Sequence, residues 1–234
     1  MKRKYINFVL ILIIGILIGF GIQQREISYP LNYSRAQVYL PAVDDKGNGV
    51  VTLLSVEIRP GDGKVLTNID KLLFWVDTQY SIQTAKSVAE DVTGISIKNV
   101  DLTYTIKSGN ATIIGGPSAG AALTIATIAV LENKSLRKDV MITGTINEDG
   151  TIGEVGAILE KAKAAKEIGA TLFLVPMGQS IQTYLKPEEK CIKKIGFIYC
   201  ETTYKEINVN IGDSANISVI EVEDINDAIK YFLT

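Results

Sequence analysis

Hydrophobic and polar positions divide the chain into stretches of different rhythm. Residues 5–22 carry no charged side chain, and since a bilayer core is crossed by roughly 20 apolar residues, this run predicts a transmembrane helix. It is longer than the apolar segment of a cleaved leader, and no A-x-A-like site follows it. A polar connector over 23–34 leads out of it. Alternation then takes over. Segments 36–43 and 49–58 predict two strands around the polar turn Asp44-Asp45-Lys46-Gly47-Asn48-Gly49, and Arg59-Pro60-Gly61 stops the second. Apolar residues at Ile82, Ala85, Val88, Ala89 and Val92 return with helical spacing, predicting a helix over 78–92 that Thr93-Gly94 ends. The strand pattern resumes over 95–106, and Lys107-Ser108-Gly109-Asn110 separates it from a short extended run over 111–114.

Gly115 and Gly116 close that run and Pro117 opens a helix, where proline's missing N–H and fixed φ cost nothing. Ser118 falls in the first turn, where unpaired N–H groups and the positive end of the helix dipole favour a developing negative charge. Taken alone, the stretch reads equally as an ordinary helix start after a glycine-rich turn. Further on, a second glycine-rich turn, from Gly150 to Gly156, precedes a helix over 157–168 that carries three lysines. At about 100° per residue, Ala157, Ile158, Ala164, Ala165 and Ile168 share the face of Lys161, while Lys163 and Lys166 point away. An ammonium on an apolar face pairs with an acid, snorkels outward or loses its proton. After this helix the pattern predicts a strand over 171–175, a helix near 179–185, a hairpin bearing Cys191 and Cys200, a strand over 217–222 and a closing helix over 224–232. Strands and helices mix without regular βαβ alternation. The predicted class is therefore α+β, mixed sheets with packed helices, in one domain over 35–234.

Composition narrows the chemistry. The chain has no histidine, so Ser-His-Asp and Cys-His sites are excluded, and a serine nucleophile here needs a neutral lysine as its base. Charge is nearly balanced, 24 basic against 26 acidic residues, and three of the basic ones, Lys2, Arg3 and Lys4, precede the apolar run. That asymmetry places residues 1–4 in the cytoplasm and the folded part outside. The outer part, being net acidic, offers nothing to nucleic acid. In such a compartment the Cys191 and Cys200 pair reads as a disulfide, and otherwise as two free thiols. Asn32, Asn110, Asn133 and Asn216 stand in glycosylation sequons, and Gly15 and Gly19 form a G-x-x-x-G pair in the predicted span.

The ordered series Gly115-Gly116-Pro117-Ser118-Ala119-Gly120, Thr143-Gly144, Gly150-Thr151-Ile152-Gly153-Glu154-Val155-Gly156, Lys161 and Leu172-Phe173-Leu174-Val175-Pro176 resembles the proteolytic domain of the Lon proteases. The resemblance implies that Ser118 is a nucleophile and Lys161 its general base. It implies further that Thr143 orients the amine and that backbone N–H groups near Gly116 and Ser118 hold an oxyanion. Where some relatives carry an acid before the serine this chain has Gly115, so Asp44 or Asp45 of the first turn becomes the candidate acidic helper. The family assembles into rings, which implies a homo-oligomer. It acts on polypeptides, which here would bind extended along a strand edge beside the 107–116 loop. Lon proteases also carry an ATPase module, and these 234 residues contain no G-x-x-x-x-G-K-[ST] run. The expectation is a membrane-anchored, ATP-independent peptidase for unfolded or exposed polypeptide, with no cofactor, metal, nucleotide or nucleic acid. The alternative readings are a non-catalytic scaffold of the same fold and a small-molecule kinase with a phosphate-binding Gly/Ser loop.

Overall fold

The computed structural model describes residues 33–69, 76–107 and 116–233. The predicted span over 5–22, with its basic leader and connector, lies outside them. Among the described residues no helix is long and apolar enough to cross a membrane. Residues Leu31–Thr234 form one compact unit.

Strict alternation builds the first sheet. In β1 (Ser34–Val43), Ala36, Val38, Leu40 and Ala42 turn inward. Leu54, Val56 and Ile58 do the same in β2 (Gly49–Pro60), and Leu102, Tyr104 and Ile106 in β4 (Val100–Lys107). With β3 (Val65–Ile69) the order is β1-β2-β4-β3, antiparallel except for the β3–β4 pair, so β1 is an edge among the described strands. The inward face packs on the helix Gly120–Leu131, α2, and α1 (Val76–Thr93) packs in turn against α2. All twelve residues of α2 are buried, which is why its sequence is apolar on every side. Its polar exceptions are satisfied locally. Thr124 and Thr127 donate to the carbonyls of Gly120 and Leu123, and the Thr127 and Tyr104 hydroxyls lie 2.8 Å apart. Burial pushes the Tyr104 hydroxyl's pKa well up.

A second, parallel sheet has the order β11-β8-β5, from β5 (Val140–Ile142), β8 (Leu172–Pro176) and β11 (Ser218–Val222). Between β5 and β8 the chain forms the small hairpin of β6 (Thr145–Ile146) and β7 (Ile152–Gly153), then α3 (Ile158–Glu167). A smaller core joins α3 and β8 through Ile158, Ala162, Ala165, Phe173 and Val175. The last two helices, α4 (Ile211–Ala215) and α5 (Ile225–Phe232), are capped by Asn210 and Asp224, whose side chains accept the Asp213 and Asp227 N–H groups. The mixture of sheets and helices matches the α+β class expected.

Two expectations are corrected. The segment near 179–185 is not a helix: β9 (Ile181–Lys194) pairs along its whole length with β10 (Phe197–Asn210). Ile181 and Leu185 have i, i+4 spacing, but Gln182 and Tyr184 alternate with them between half-buried and exposed positions. That is a period of two, and the β-branched Ile181 and Thr183 with Tyr184 suit a strand. The strand expected over 95–106 begins only at Val100, because Ile97 is buried and its N–H donates to Glu90 of α1 instead of joining the ladder. Within the ribbon, Cys191 and Cys200 face each other in register and form a disulfide.

Candidate active site

Ser118 is positioned by a turn that only its sequence permits. Gly116 has φ +97, in the region that favours glycine, and turns the chain into a single 3-10 turn, Pro117–Ala119. The continuing α2 begins at Gly120, where a Cβ would come within 2.7 Å of the Ile146 backbone nitrogen. Glycine there lets β6 lie against the helix start. Two backbone hydrogen bonds fasten the contact: the Gly144 N–H donates to the Ser118 carbonyl at 3.0 Å, and the Ala121 N–H to the Gly144 carbonyl at 3.1 Å. Thr143 is therefore held beside the Ser118 turn, and its own N–H donates to the Leu174 carbonyl of β8 at 3.1 Å.

Lys161 reaches the same place from α3. The helix starts from Ala157 in the left-handed region, φ 56, an uncommon conformation for a residue with a Cβ. Ahead of it, the Gln179 amide brackets Val155, accepting its N–H at 3.0 Å and donating to its carbonyl at 3.1 Å. From the other side, Gly49 at the start of β2 leaves no room for a Cβ against the Glu160 carbonyl. Lys161 is 3% exposed, and its Nζ donates to Thr143 Oγ1 at 3.3 Å. Among the described residues it makes no ion pair. Burial penalises the charged form and lowers its pKa to about 8, while the neighbouring Glu160 pulls weakly the other way. Of the three fates open to an ammonium on an apolar face, burial here favours loss of the proton, which becomes the major state only above about pH 8.

Ser118 and Lys161 line one cavity of about 420 Å³. Leu40, Pro41, Ala42 and Val43 of edge strand β1 form one wall, and Gly116 and Glu154 also line it. The sequence pattern had no sign of Thr78, which lines the cavity from the first turn of α1, nor of Gln179. Glu154 was visible only as part of the glycine-rich turn. Neither of the two aspartates lines this cavity. Asp44 accepts the Lys46 and Asn48 N–H groups and the Asn48 amide, at 2.9, 2.8 and 3.0 Å, and these bonds lower its pKa. It builds the β1–β2 turn, and neither Asp44 nor Asp45 is among the cavity residues. The only grouping of metal-ligand type among the described residues is Glu189 with Cys191 and Cys200, and a disulfide leaves those sulfurs without the thiolate a metal needs.

Comparison with known proteins agrees with this geometry. Residues 74–211, more than half of the chain, match the family described as the Lon protease (S16) C-terminal proteolytic domain, and the match includes Ser118, Thr143 and Lys161. The chain is 33% identical to the Lon protease of Phenylobacterium zucineum over 144 residues, 60% of this chain and 18% of that protein. It is 36% identical over 101 residues to Lon protease 2 of Bdellovibrio bacteriovorus, covering 43% and 12% of the two chains. With the Lon protease of Clostridium acetobutylicum the identity is 30% over 141 residues, covering 59% and 17%. The chain thus spans less than a fifth of the length of these relatives. Fold, site geometry and sequence match lead to one assignment: the chain belongs to the family of the Lon protease C-terminal proteolytic domain.

Proposed function

We propose that this protein is a serine endopeptidase working through a Ser118–Lys161 dyad. The observation that carries the reading is a buried lysine without an acidic partner, its amine held by the Thr143 hydroxyl, lining the same cavity as a serine in a helix-start turn. A neutral amine has one lone pair. With an N–H engaged by Thr143, that lone pair is free to take the Ser118 proton as the oxygen attacks a peptide carbonyl. Lys161 then returns the proton to the leaving amine. The acyl-enzyme that remains is hydrolysed by water, with Lys161 again as base. N–H groups of the Pro117–Ala119 turn lie at the positive end of α2, the right polarity for the oxyanion. The wall made by β1, whose second edge pairs with no strand among the described residues, suits an extended polypeptide adding alongside it.

In this reading the enzyme is held to the membrane by residues 5–22, with the folded part on the outer face. It assembles as a homo-oligomeric ring and cleaves unfolded or exposed polypeptide without nucleotide. The test is casein cleavage by the wild type, Ser118→Ala and Lys161→Ala, with and without ATP. Cleavage by the wild type alone, indifferent to ATP, is expected. A folded, assembled wild type that cuts nothing leaves the scaffold reading, and mutants that cut equally well remove the dyad.

A further inference from the structure

The peptidase site leaves the β9–β10 ribbon unexplained. Its base is attached to the domain through half-buried Gln182, Tyr184, Ile207 and Val209. From the Leu185↔Glu206 pair outward every residue is exposed on both faces. At about 3.4 Å per residue the arm extends roughly 30 Å beyond its base. A two-stranded ribbon alone is marginal in water. This one is joined by the Cys191–Cys200 disulfide near its outer end, which keeps the tip formed where no packing supports it.

The tip has an unusual composition for something so exposed. Ile192, Phe197, Ile198 and Tyr199 are each more than half exposed and Ile195, in the turn, is fully exposed. They are distributed over both faces: Ile192 and Tyr199 pair across one, while Ile198 lies opposite Lys193 on the other. Residues 191–200 also hold Lys193 and Lys194 and no acid. A surface meant for a protein partner is apolar on the face that docks. An end with apolar side chains on both faces, Lys193 and Lys194 paired across from Ile198 and Phe197, and a tyrosine among them has the chemistry of a group entering the boundary of an anionic bilayer.

We propose that the ribbon tip, residues 192–199, is a second membrane contact that inserts into the headgroup region of anionic lipid. The open edges of a two-stranded ribbon carry unpaired N–H and C=O groups, which keeps the insertion at the interface and out of the hydrocarbon. Lys193 and Lys194 reach phosphate while Ile195, Phe197 and Ile198 reach the acyl boundary. The inference relies on the anchor reading only for the nearness of a bilayer, and it is independent of the dyad.

The experiment is vesicle co-flotation of residues 31–234, the compact unit without the apolar run. Vesicles of phosphatidylcholine are compared with a phosphatidylcholine–phosphatidylglycerol mixture. The wild type should bind the anionic vesicles about tenfold or more tightly than the neutral ones. Lys193→Gln with Lys194→Gln should remove that preference. Ile195→Ser, Phe197→Ser and Ile198→Ser together should lower binding to anionic vesicles by at least about tenfold. Thermal unfolding and casein cleavage should be unchanged by both sets. The proposal is overturned if the wild type binds neither vesicle or if the variants bind as it does. A smaller assembly for the variants, with vesicle binding intact, would make the tip a contact between copies. A raised KM for casein, with vesicle binding intact, would make it a substrate arm. Partition of the full chain into membranes tests the anchor separately.

Discussion

At the scale of single residues, the behaviour of Lys161 is set by what surrounds it. Its pKa of about 8 implies that activity rises with pH through that value as the amine becomes a base, which a kcat/KM profile measures directly. The same shift affects stability, with a defined sign. The folded pKa lies below the ordinary lysine value of 10.5, so between about 8 and 10.5 the unfolded chain binds more protons and stability increases with pH across that window. Below it the protein carries a buried ammonium at a cost on the order of 3 kcal/mol. Lys161→Met should therefore be inactive yet more stable at pH 7, and its unfolding free energy should lack the rise seen in the wild type. Thr143 has a different signature. Its hydroxyl accepts from the amine and favours the charged form most. Thr143→Val is expected to lower kcat about tenfold or more while moving the pH profile to lower pH, a combination that a purely structural role would not produce. Ser118, at a glycine-bounded helix start, and Lys161, on an apolar face, each read alone as ordinary structure, and it was the resemblance to the Lon proteolytic domain that gave them roles. Asp44 was misleading, because a turn aspartate that satisfies backbone N–H groups looks the same in sequence as one that faces a site.

At the scale of elements, close approaches decide the geometry. α3 lies against the β1–β2 hairpin because Gly49 leaves space for the Glu160 carbonyl. Gly49→Ala should displace the helix bearing Lys161 and lower kcat about tenfold or more, a loss read by comparing kcat with the thermal midpoint. The central α2 tests packing instead. Leu123 is fully buried between the first sheet and its neighbours, and Leu123→Ala should cost about 2–5 kcal/mol in denaturant unfolding. Most elements were legible, since alternation in β1 and β2 and helical spacing in α1 and α3 follow directly from which face is buried. The ribbon was legible only in part. The cysteine hairpin at its outer end was expected, but its base was not, because one i, i+4 apolar pair, Ile181 and Leu185, mimics a helix over a segment too short for its period of two to stand out.

At the scale of the whole molecule, the described cores and the candidate site all belong to the compact unit Leu31–Thr234. That unit is expected to keep peptidase activity within about threefold of the full chain in detergent, since the described core and site residues all lie within it. A loss much larger than this, measured on casein with assembly state checked, would assign residues 1–30 a part in forming the active particle. The sequence by itself determined the chemistry open to this protein: no histidine, one serine at a glycine-bounded helix start, and one lysine on an apolar face ahead of a buried strand. Those features are local, because composition, turn residues and periodicity act within a few residues of themselves. Only the tertiary structure decided that Thr143 meets Lys161 as the resemblance implied, that β1 is the edge among the described strands and forms a cavity wall, and that Asp44 is bonded within its turn. Such relations depend on which segments pack together across long sequence separations. The contacts that fix them, a missing Cβ at Gly49 and paired backbone bonds at Gly144, have no periodicity to betray them.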